Sequence, residues 1–150
     1  MNNHIFHLSA GAVVSDVKCD KVLLLYRKNT DTYHLPKGSV EVGEELRETV
    51  LREVYEETGA QIRLGEYLVS VDSSFLRNGV DVRKKTLYFS AVMTGDVFGV
   101  TDGEHDRVDC VSYERACELL ESQGGMSLGY EDELSVLHFW GSHIRAALLF

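Results

Sequence analysis

Apolar residues near the start of the chain are concentrated in two short runs, at residues 5–14 and 21–27, and both runs are rich in residues that favour extended structure. The polar stretch 15–20 separates them, so the two runs predict a β-hairpin. Residues 29–34 are mostly polar and predict a loop. The beginning of the chain is therefore expected to form antiparallel strands.

The hydrophobic spacing then changes to that of a helix. Between residues 44 and 58, the apolar positions Leu46, Val50 and Val54 recur every four residues, which places their side chains on one face of a helix. Gly59 follows, and glycine commonly occupies the position just beyond a helix C-terminus. The segment predicts a helix with one apolar stripe and a charged opposite side.

The rest of the chain contains both patterns. Three apolar, β-rich runs predict further strands at residues 67–71, 86–93 and 108–113. Residues 114–121 and 131–149 predict helices. The apolar side of the last helix consists of Leu134, Leu137, Trp140 and Ile144. Strands combined with one early helix and late helices predict an α/β domain built in layers.

Length and composition limit the possible classes of protein. The 150 residues are expected to form a single domain, residues 1–150, and a hydrophobic share of 44% allows a core without disulfides. The cysteines Cys19, Cys110 and Cys117 are odd in number and lack metal-ligand spacing, and residues 1–4 do not resemble a signal peptide. No apolar run approaches the ~18 residues of a membrane span. These features predict a cytoplasmic protein.

The charge of the chain limits its partners. A formal net charge of −9 argues against a broad basic surface for nucleic acid or acidic membranes. A small anionic ligand is compatible with this charge, because a bound metal ion can supply the local cations. Trp140 and the apolar residues 146–150 can pack on the sheet or on a partner copy, so a monomer and a homodimer both remain open.

The predicted first helix is unusually rich in carboxylates. Glu53 is followed by Glu56 and Glu57 at three and four positions, so the three side chains are neighbours and repel one another. They can form a solvated charged face, or they can bind a hard divalent cation such as Mg²⁺. The helix alone leaves both interpretations open.

These carboxylates belong to a longer motif. Its fixed residues stand in the spacing G-x5-E-x7-R-E-x-x-E-E-x-G and are Gly38, Glu44, Arg52, Glu53, Glu56, Glu57 and Gly59. The segment resembles the Nudix box of hydrolases that cut phosphoanhydride bonds, with Ala60 smaller than the residue usual after the last glycine. The resemblance implies a Nudix-type α/β/α sandwich with a central mixed β-sheet.

The resemblance also implies roles for single residues. Nudix enzymes bind one to three Mg²⁺ or Mn²⁺ ions, and by position Glu56 and Glu57 are the main ligands. Glu53 is a further ligand or the general base, and the backbone carbonyl of Lys37 is an extra ligand. Arg52 orients a helix glutamate. The ions would neutralise phosphate charge, activate a water and align in-line attack.

The flanking residues resemble the diadenosine tetraphosphate hydrolase branch of this family. Residues 33–38 match its aromatic-x-x-Pro-Lys-Gly entry, with Tyr33 in place of tryptophan, so Tyr33 and Lys37 are candidates to bind the nucleotide. Glu104 matches a loop glutamate that reaches the metal ions, which makes it an added ligand or an alternative base. Lys85 is a candidate phosphate contact, and Tyr130 is a candidate to stack on adenine. Each has a structural alternative, namely an acidic turn, a solvated lysine or a ring in the core.

The sequence therefore predicts a Mg²⁺-dependent hydrolase of a nucleoside diphosphate-linked substrate, foremost a dinucleoside polyphosphate such as diadenosine tetraphosphate. Other family substrates are nucleoside triphosphates, ADP-ribose or nucleotide sugars, RNA 5′ ends and diphosphoinositol polyphosphates. The last would require a dense basic pocket, and residues 83–85 are the only tight basic cluster of the sequence. A non-catalytic nucleotide-sensing module is the rival from another class, although such modules typically lose box glutamates that this chain keeps.

Overall fold

A computed structural model of the protein describes residues 4–96, 98–99, 103–123 and 130–148, with residues 130 and 131 described by their backbone only. In chain order, the elements of these ranges are β1 (His4–Ser15), β2 (Lys21–Arg27), β3 (Thr32–His34), β4 (Lys37–Ser39), α1 (Leu46–Thr58), β5 (Ile62–Arg77), β6 (Val80–Met93), β7 (Arg107–Ser112), α2 (Tyr113–Glu121) and α3 (Tyr130–Trp140). A π-helical turn (Gly141–Arg145) and α4 (Ala146–Leu148) continue α3.

The strands form one mixed sheet with the order β3-β2-β1-β6-β5, in which β4 also pairs with β1 and β7 with β2. β1 runs parallel to β6 along its whole length, from His4 opposite Asp81 to Ser15 opposite Val92. The other strand pairs are antiparallel. β1 is therefore the central strand, and it contacts both β4 and β6.

Helices cover both faces of this sheet. Val54 of α1 packs on one face, in the same buried cluster as Leu23 of β2. Leu24, the next residue of β2, lies in the cluster on the other face with Ala116 of α2 and Leu137 of α3. A strand buried on both faces reads as a continuous apolar run, which is the pattern of residues 21–27. The predicted α/β/α sandwich with a central mixed sheet is confirmed.

The predicted hairpin and first helix are also confirmed. β1 and β2 are antiparallel and pair next to their turn, with Ser15 opposite Val22. α1 ends at Thr58, and Gly59 takes up a left-handed φ of 70°. The Gly59 N–H donates to the carbonyl of Tyr55 at 2.8 Å, which closes the last turn of the helix.

Two predictions for the extended segments are wrong in part. Within the predicted loop 29–34, Thr32–His34 forms β3, because β2 satisfies its backbone groups despite the polar side chains. β5 spans Ile62–Arg77, far beyond the predicted residues 67–71. Its C-terminal end, residues 74–77, is exposed and is held by backbone pairing with β6 rather than by burial, so hydrophobic patterning does not reveal it.

The composition predicts no membrane-spanning segment and no disulfides. Within the described ranges, no helix is both long enough and apolar enough to cross a bilayer. Cys19 is buried, Cys110 and Cys117 are partly buried, and all three are free thiols.

Because both faces of the sheet are covered, we expect Leu23→Ala and Leu24→Ala to destabilise the fold to a similar degree. Both side chains are fully buried, so each change should lower the free energy of unfolding by about 2–5 kcal/mol. Val17→Ala, at an exposed position, is the control and should change it little. Urea unfolding followed by circular dichroism measures all three. A small loss for either leucine would contradict burial on both faces.

Candidate active site

Arg52 of α1 joins the helix to the loop that precedes it. Its Nε and Nη2 atoms donate to the two carboxylate oxygens of Glu44 at 2.7 and 3.0 Å, and Nη2 also donates to the carbonyl of Ser39 at 2.9 Å. Its Nη1 atom donates to Glu53 at 2.8 Å and to Glu56 at 3.2 Å. Charge-assisted contacts of this forked type are among the strongest hydrogen bonds in proteins, so one guanidinium fixes both the loop and the helix carboxylates.

The carboxylate of Glu44 accepts several further hydrogen bonds. The Thr49 hydroxyl donates to it at 2.5 Å, and the backbone N–H of Glu41 donates at 3.1 Å. The hydrogen bond from Arg52, followed by that from Thr49, lowers the pKa of Glu44 from 4.5 to about 2. The same contact with Glu44 raises the pKa of Arg52. Both groups therefore stay charged near neutral pH and hold the loop against α1.

Glu53 lies directly against the backbone of Gly38 in β4. A Cβ atom at position 38 would stand 1.9 Å from Cδ of Glu53, so another residue fits only if this carboxylate moves. Burial raises the pKa of Glu53, and the hydrogen bond from Arg52 opposes that shift. The first glycine of the motif thus makes room for one of its glutamates.

Glu57 is the most enclosed carboxylate of α1, at 6% exposure. Its Oε1 atom accepts the backbone N–H of Lys37 at 2.9 Å. Its Oε2 atom lies 3.7 Å from Nδ1 of His105, which is also buried. Burial of an unpartnered carboxylate is costly, so these contacts allow Glu57 to lie beside the core and tie α1 to β4.

Gly38, Glu53, Glu57 and His105 line one cleft of about 530 Å³. It is lined by Arg27, His34, Leu35, Lys37, Gly38, Ser39, Glu41, Glu53, Glu57, Lys84, Glu104 and His105. Burial lowers the pKa of Lys84, as does the neighbouring Lys37, while Glu133 and Glu57 act in the opposite direction. Carboxylates and cations thus face the same space, which suits a polyphosphate bound through divalent ions.

The structure brings most of the predicted catalytic and metal-binding residues to this cleft. Those that line it are Glu53, Glu57, Lys37 and Glu104. Arg52 does not line the cleft but acts on it through its hydrogen bond to Glu53. Glu56 accepts from Arg52 with a half-exposed side chain and does not line the cleft either.

The predicted nucleotide-binding residues are more scattered. Lys85 lies 3.6 Å from Asp72 and lines a neighbouring cleft of about 790 Å³, whereas Lys84 lines both clefts. Tyr33 packs against Tyr26, with ring centroids 4.9 Å apart, and lines neither cleft. The side chain of Tyr130 lies outside the described residues.

Lys84 and Glu133 are among the charged residues at or beside the cleft that sequence reasoning missed. Lys84 differs from the predicted Lys85 by one position, and successive strand residues point to opposite faces of a sheet. Glu133 precedes the buried residues Val136 and Leu137 of α3 by three and four positions. A carboxylate at that spacing lies on the apolar side of a helix, and this signal could have revealed it.

The carboxylates of the cleft are ligands of the type that Mg²⁺ prefers. They are not gathered around a single point. Among the residues that the structure describes, no group of three or more His, Cys, Asp and Glu side chains is arranged to hold a metal ion. Glu53, Glu57 and Glu104 nevertheless line the same cleft, and carboxylate oxygen is a ligand that Mg²⁺ prefers. The residues present therefore fit a divalent cation by chemistry and by shared location.

Comparison with known proteins gives the same fold. The family model of the NUDIX domain matches residues 5–127. A MutT protein from Methanosarcina mazei Go1 is 25% identical with a TM-score of 0.66, and the match covers 90% of this chain and 94% of that one. The E. coli dihydroneopterin triphosphate pyrophosphohydrolase is 20% identical (TM-score 0.67; 90% and 97% covered). An Ap4A hydrolase from C. elegans is 18% identical (TM-score 0.66; 93% and 98% covered). The names of the last two proteins state different substrates, so the similarity does not select one substrate.

We expect Gly38→Ala to lower the rate of phosphoanhydride hydrolysis, because the new methyl group displaces the carboxylate of Glu53. A displacement of about 1 Å at a reacting group costs roughly a hundred-fold in rate. Gly95→Ala is the matched control, because its added Cβ meets nothing within 4 Å. Circular dichroism should show both variants folded. A wild-type kcat in Gly38→Ala would show that the position of Glu53 is not critical.

The lowered pKa of Glu44 predicts how stability changes with pH. The folded-state pKa lies below the unfolded one, so ionised Glu44 stabilises the fold above pH 4.5, and this contribution is lost as the pH falls through about 2. The difference in urea midpoint between the wild type and Glu44→Gln should be constant near neutral pH and should shrink below pH 4.5. A difference that persists unchanged at pH values of about 2 would contradict the lowered pKa.

Proposed function

The chain belongs to the Nudix domain family, and on that premise we propose that it uses Mg²⁺ to hydrolyse a phosphoanhydride bond in a nucleoside diphosphate-linked substrate. The family match and the MutT protein of the same fold support the assignment of the chain as a pyrophosphohydrolase, an enzyme that acts on acid anhydrides. The substrate that we propose is a dinucleoside polyphosphate such as diadenosine tetraphosphate, which would be cut into two nucleotides.

The observation that supports this proposal is the cleft in which Glu53 and Glu57 face the same space as Lys84. A polyphosphate chain repels hydroxide, so its hydrolysis requires both neutralised charge and an activated water. Mg²⁺, or alternatively Mn²⁺, would supply both when bound by the carboxylates. Nudix hydrolases generally use such divalent ions, which agrees with the donor atoms of this cleft.

We assign the residue roles from position and motif. The metal ligands would be Glu53, Glu56, Glu57, Glu104 and the backbone carbonyl of Lys37. Arg52 keeps Glu53 oriented through its hydrogen bond of 2.8 Å. Glu53 and Glu104 remain the two candidates for the general base, because both line the cleft. Lys84 takes the phosphate-binding role first assigned to Lys85, since it lines the cleft and Lys85 does not.

The neighbouring cleft of about 790 Å³ supports a substrate with two nucleosides. It shares Lys84 with the first cleft, and Phe6, Phe75 and Arg83 also line it. Aromatic rings beside cations can accept a nucleobase together with phosphate groups. The second nucleotide of such a substrate could therefore place its base against an aromatic ring and its phosphates near the cations, next to the site of cleavage. The fold shared with the C. elegans Ap4A hydrolase is compatible with this choice.

A panel of substrates tests the proposal. We expect the purified protein with Mg²⁺ to cleave diadenosine tetraphosphate with a higher kcat/KM than ATP or ADP-ribose, with products resolved by chromatography. EDTA should abolish cleavage. Glu57→Gln should lower kcat by about two orders of magnitude yet still fold, since its amide oxygen can accept the Lys37 N–H at the position of Oε1.

Glu48→Gln is the matched control, because Glu48 lies on the same helix with an exposed side chain. It should keep wild-type turnover. Faster cleavage of ATP or ADP-ribose would overturn the substrate assignment alone. Wild-type turnover in Glu57→Gln would remove Glu57 from the site.

A further inference from the structure

We propose that Glu133 of α3 is a positioning residue, which holds the segment from Leu35 to Lys37 in the place that the catalytic cleft requires. Its side chain is 4% exposed and lies on the side of α3 that buries Val136 and Leu137. An ionised group is costly to bury unless partners replace its contacts with water. The groups that contact the Glu133 carboxylate therefore indicate its structural role.

Both carboxylate oxygens of Glu133 contact the same short segment. Oε1 accepts the backbone N–H of Leu35 at 2.9 Å, and Oε2 lies 3.3 Å from Nδ1 of His34. Leu35 and His34 line the cleft, whereas Glu133 does not. α3 thus influences the cleft through this carboxylate and its two contacts rather than through a side chain that would touch the substrate.

The residues that follow are held from the other layer of the fold. Pro36 has no N–H to donate, and its carbonyl accepts the N–H of Ala12 in β1 at 3.1 Å. The N–H of Lys37 donates to Oε1 of Glu57 at 2.9 Å. The residues on either side of the proline are therefore held by two buried carboxylates from opposite helices, Glu133 of α3 and Glu57 of α1.

Close packing links these two contacts. A Cβ atom at Gly11 of β1 would stand 2.5 Å from the carbonyl oxygen of Pro36 and 2.7 Å from Cβ of Lys37, so the segment lies tightly on β1. The ring of Pro36 also fixes one backbone dihedral angle between its neighbours. Loss of the contact at Leu35 is therefore transmitted to the Lys37 N–H, and through it to Glu57 in the cleft.

Amide hydrogen exchange tests this inference without substrate or metal. In Glu133→Ala the Leu35 N–H loses its acceptor, and we expect the amides of Leu35 and Lys37 to exchange about ten-fold faster or more. The amide of Tyr88 in the core strand β6 should keep its wild-type rate. Glu133→Gln keeps an acceptor oxygen and should retain most of the protection. Glu118→Ala, at an exposed carboxylate of α2, is the matched control and should change nothing.

The kinetic readout uses diadenosine tetraphosphate with Mg²⁺. Glu133→Ala should lower kcat about ten-fold with a smaller change in KM, and Glu133→Gln should restore most of kcat. Should Glu133→Ala not fold, Glu133→Asp takes its place, because it keeps the charge and retracts the oxygens by one methylene.

An unchanged exchange rate at Lys37 would overturn the proposal. Equal acceleration at Tyr88 would also overturn it, since that result marks general destabilisation. The exchange measurement does not depend on the proposed substrate, so a failure to cleave diadenosine tetraphosphate leaves this test intact.

Discussion

Repulsion among the carboxylates of α1 is the constraint to which the surrounding structure responds. Glu53 and Glu56 share the guanidinium of Arg52, while Glu57 turns to the backbone N–H of Lys37. The same guanidinium reaches back to Glu44 and so fixes the loop before the helix. Charges that would repel one another on an isolated helix are thus each given a partner, and those partners shape the cleft. The residues of the motif are therefore linked by shared contacts, with Arg52 at their centre.

The site also depends on two close approaches between backbone and side chain. Gly38 leaves room for the carboxylate of Glu53, and Gly11 leaves room for the carbonyl of Pro36. β4 thus pairs with the central strand and also contacts α1, and Glu57 of α1 accepts the backbone N–H of Lys37. The helix and the strand can meet at this distance because neither glycine carries a side chain.

Distant parts of the chain complete the cleft. Lys84 arrives on β6, which pairs with β1 in parallel, and Glu104 and His105 come from the segment before β7. Glu133 acts from α3 through Leu35. The box carries the chemistry common to Nudix hydrolases, but the same fold is shared by proteins of different named activities. The fold therefore does not by itself decide which substrate is cut.

The sequence by itself determined α1, its glycine cap and the identity of the clustered carboxylates, because these features depend on residues within a few positions of one another. It also indicated the layered α/β fold, since the predicted strands are combined with an early helix and with late helices. Only the tertiary structure decided that Thr32–His34 is a strand and that β5 reaches Arg77, because distant strands satisfy their backbone groups. It likewise placed Lys84 rather than Lys85 in the cleft that Glu53 and Glu57 line. Successive residues of a strand point to opposite faces of the sheet, so a difference of one position changes the face. The contact of Glu133 with Leu35 joins residues 98 positions apart, and folding alone brings such residues together.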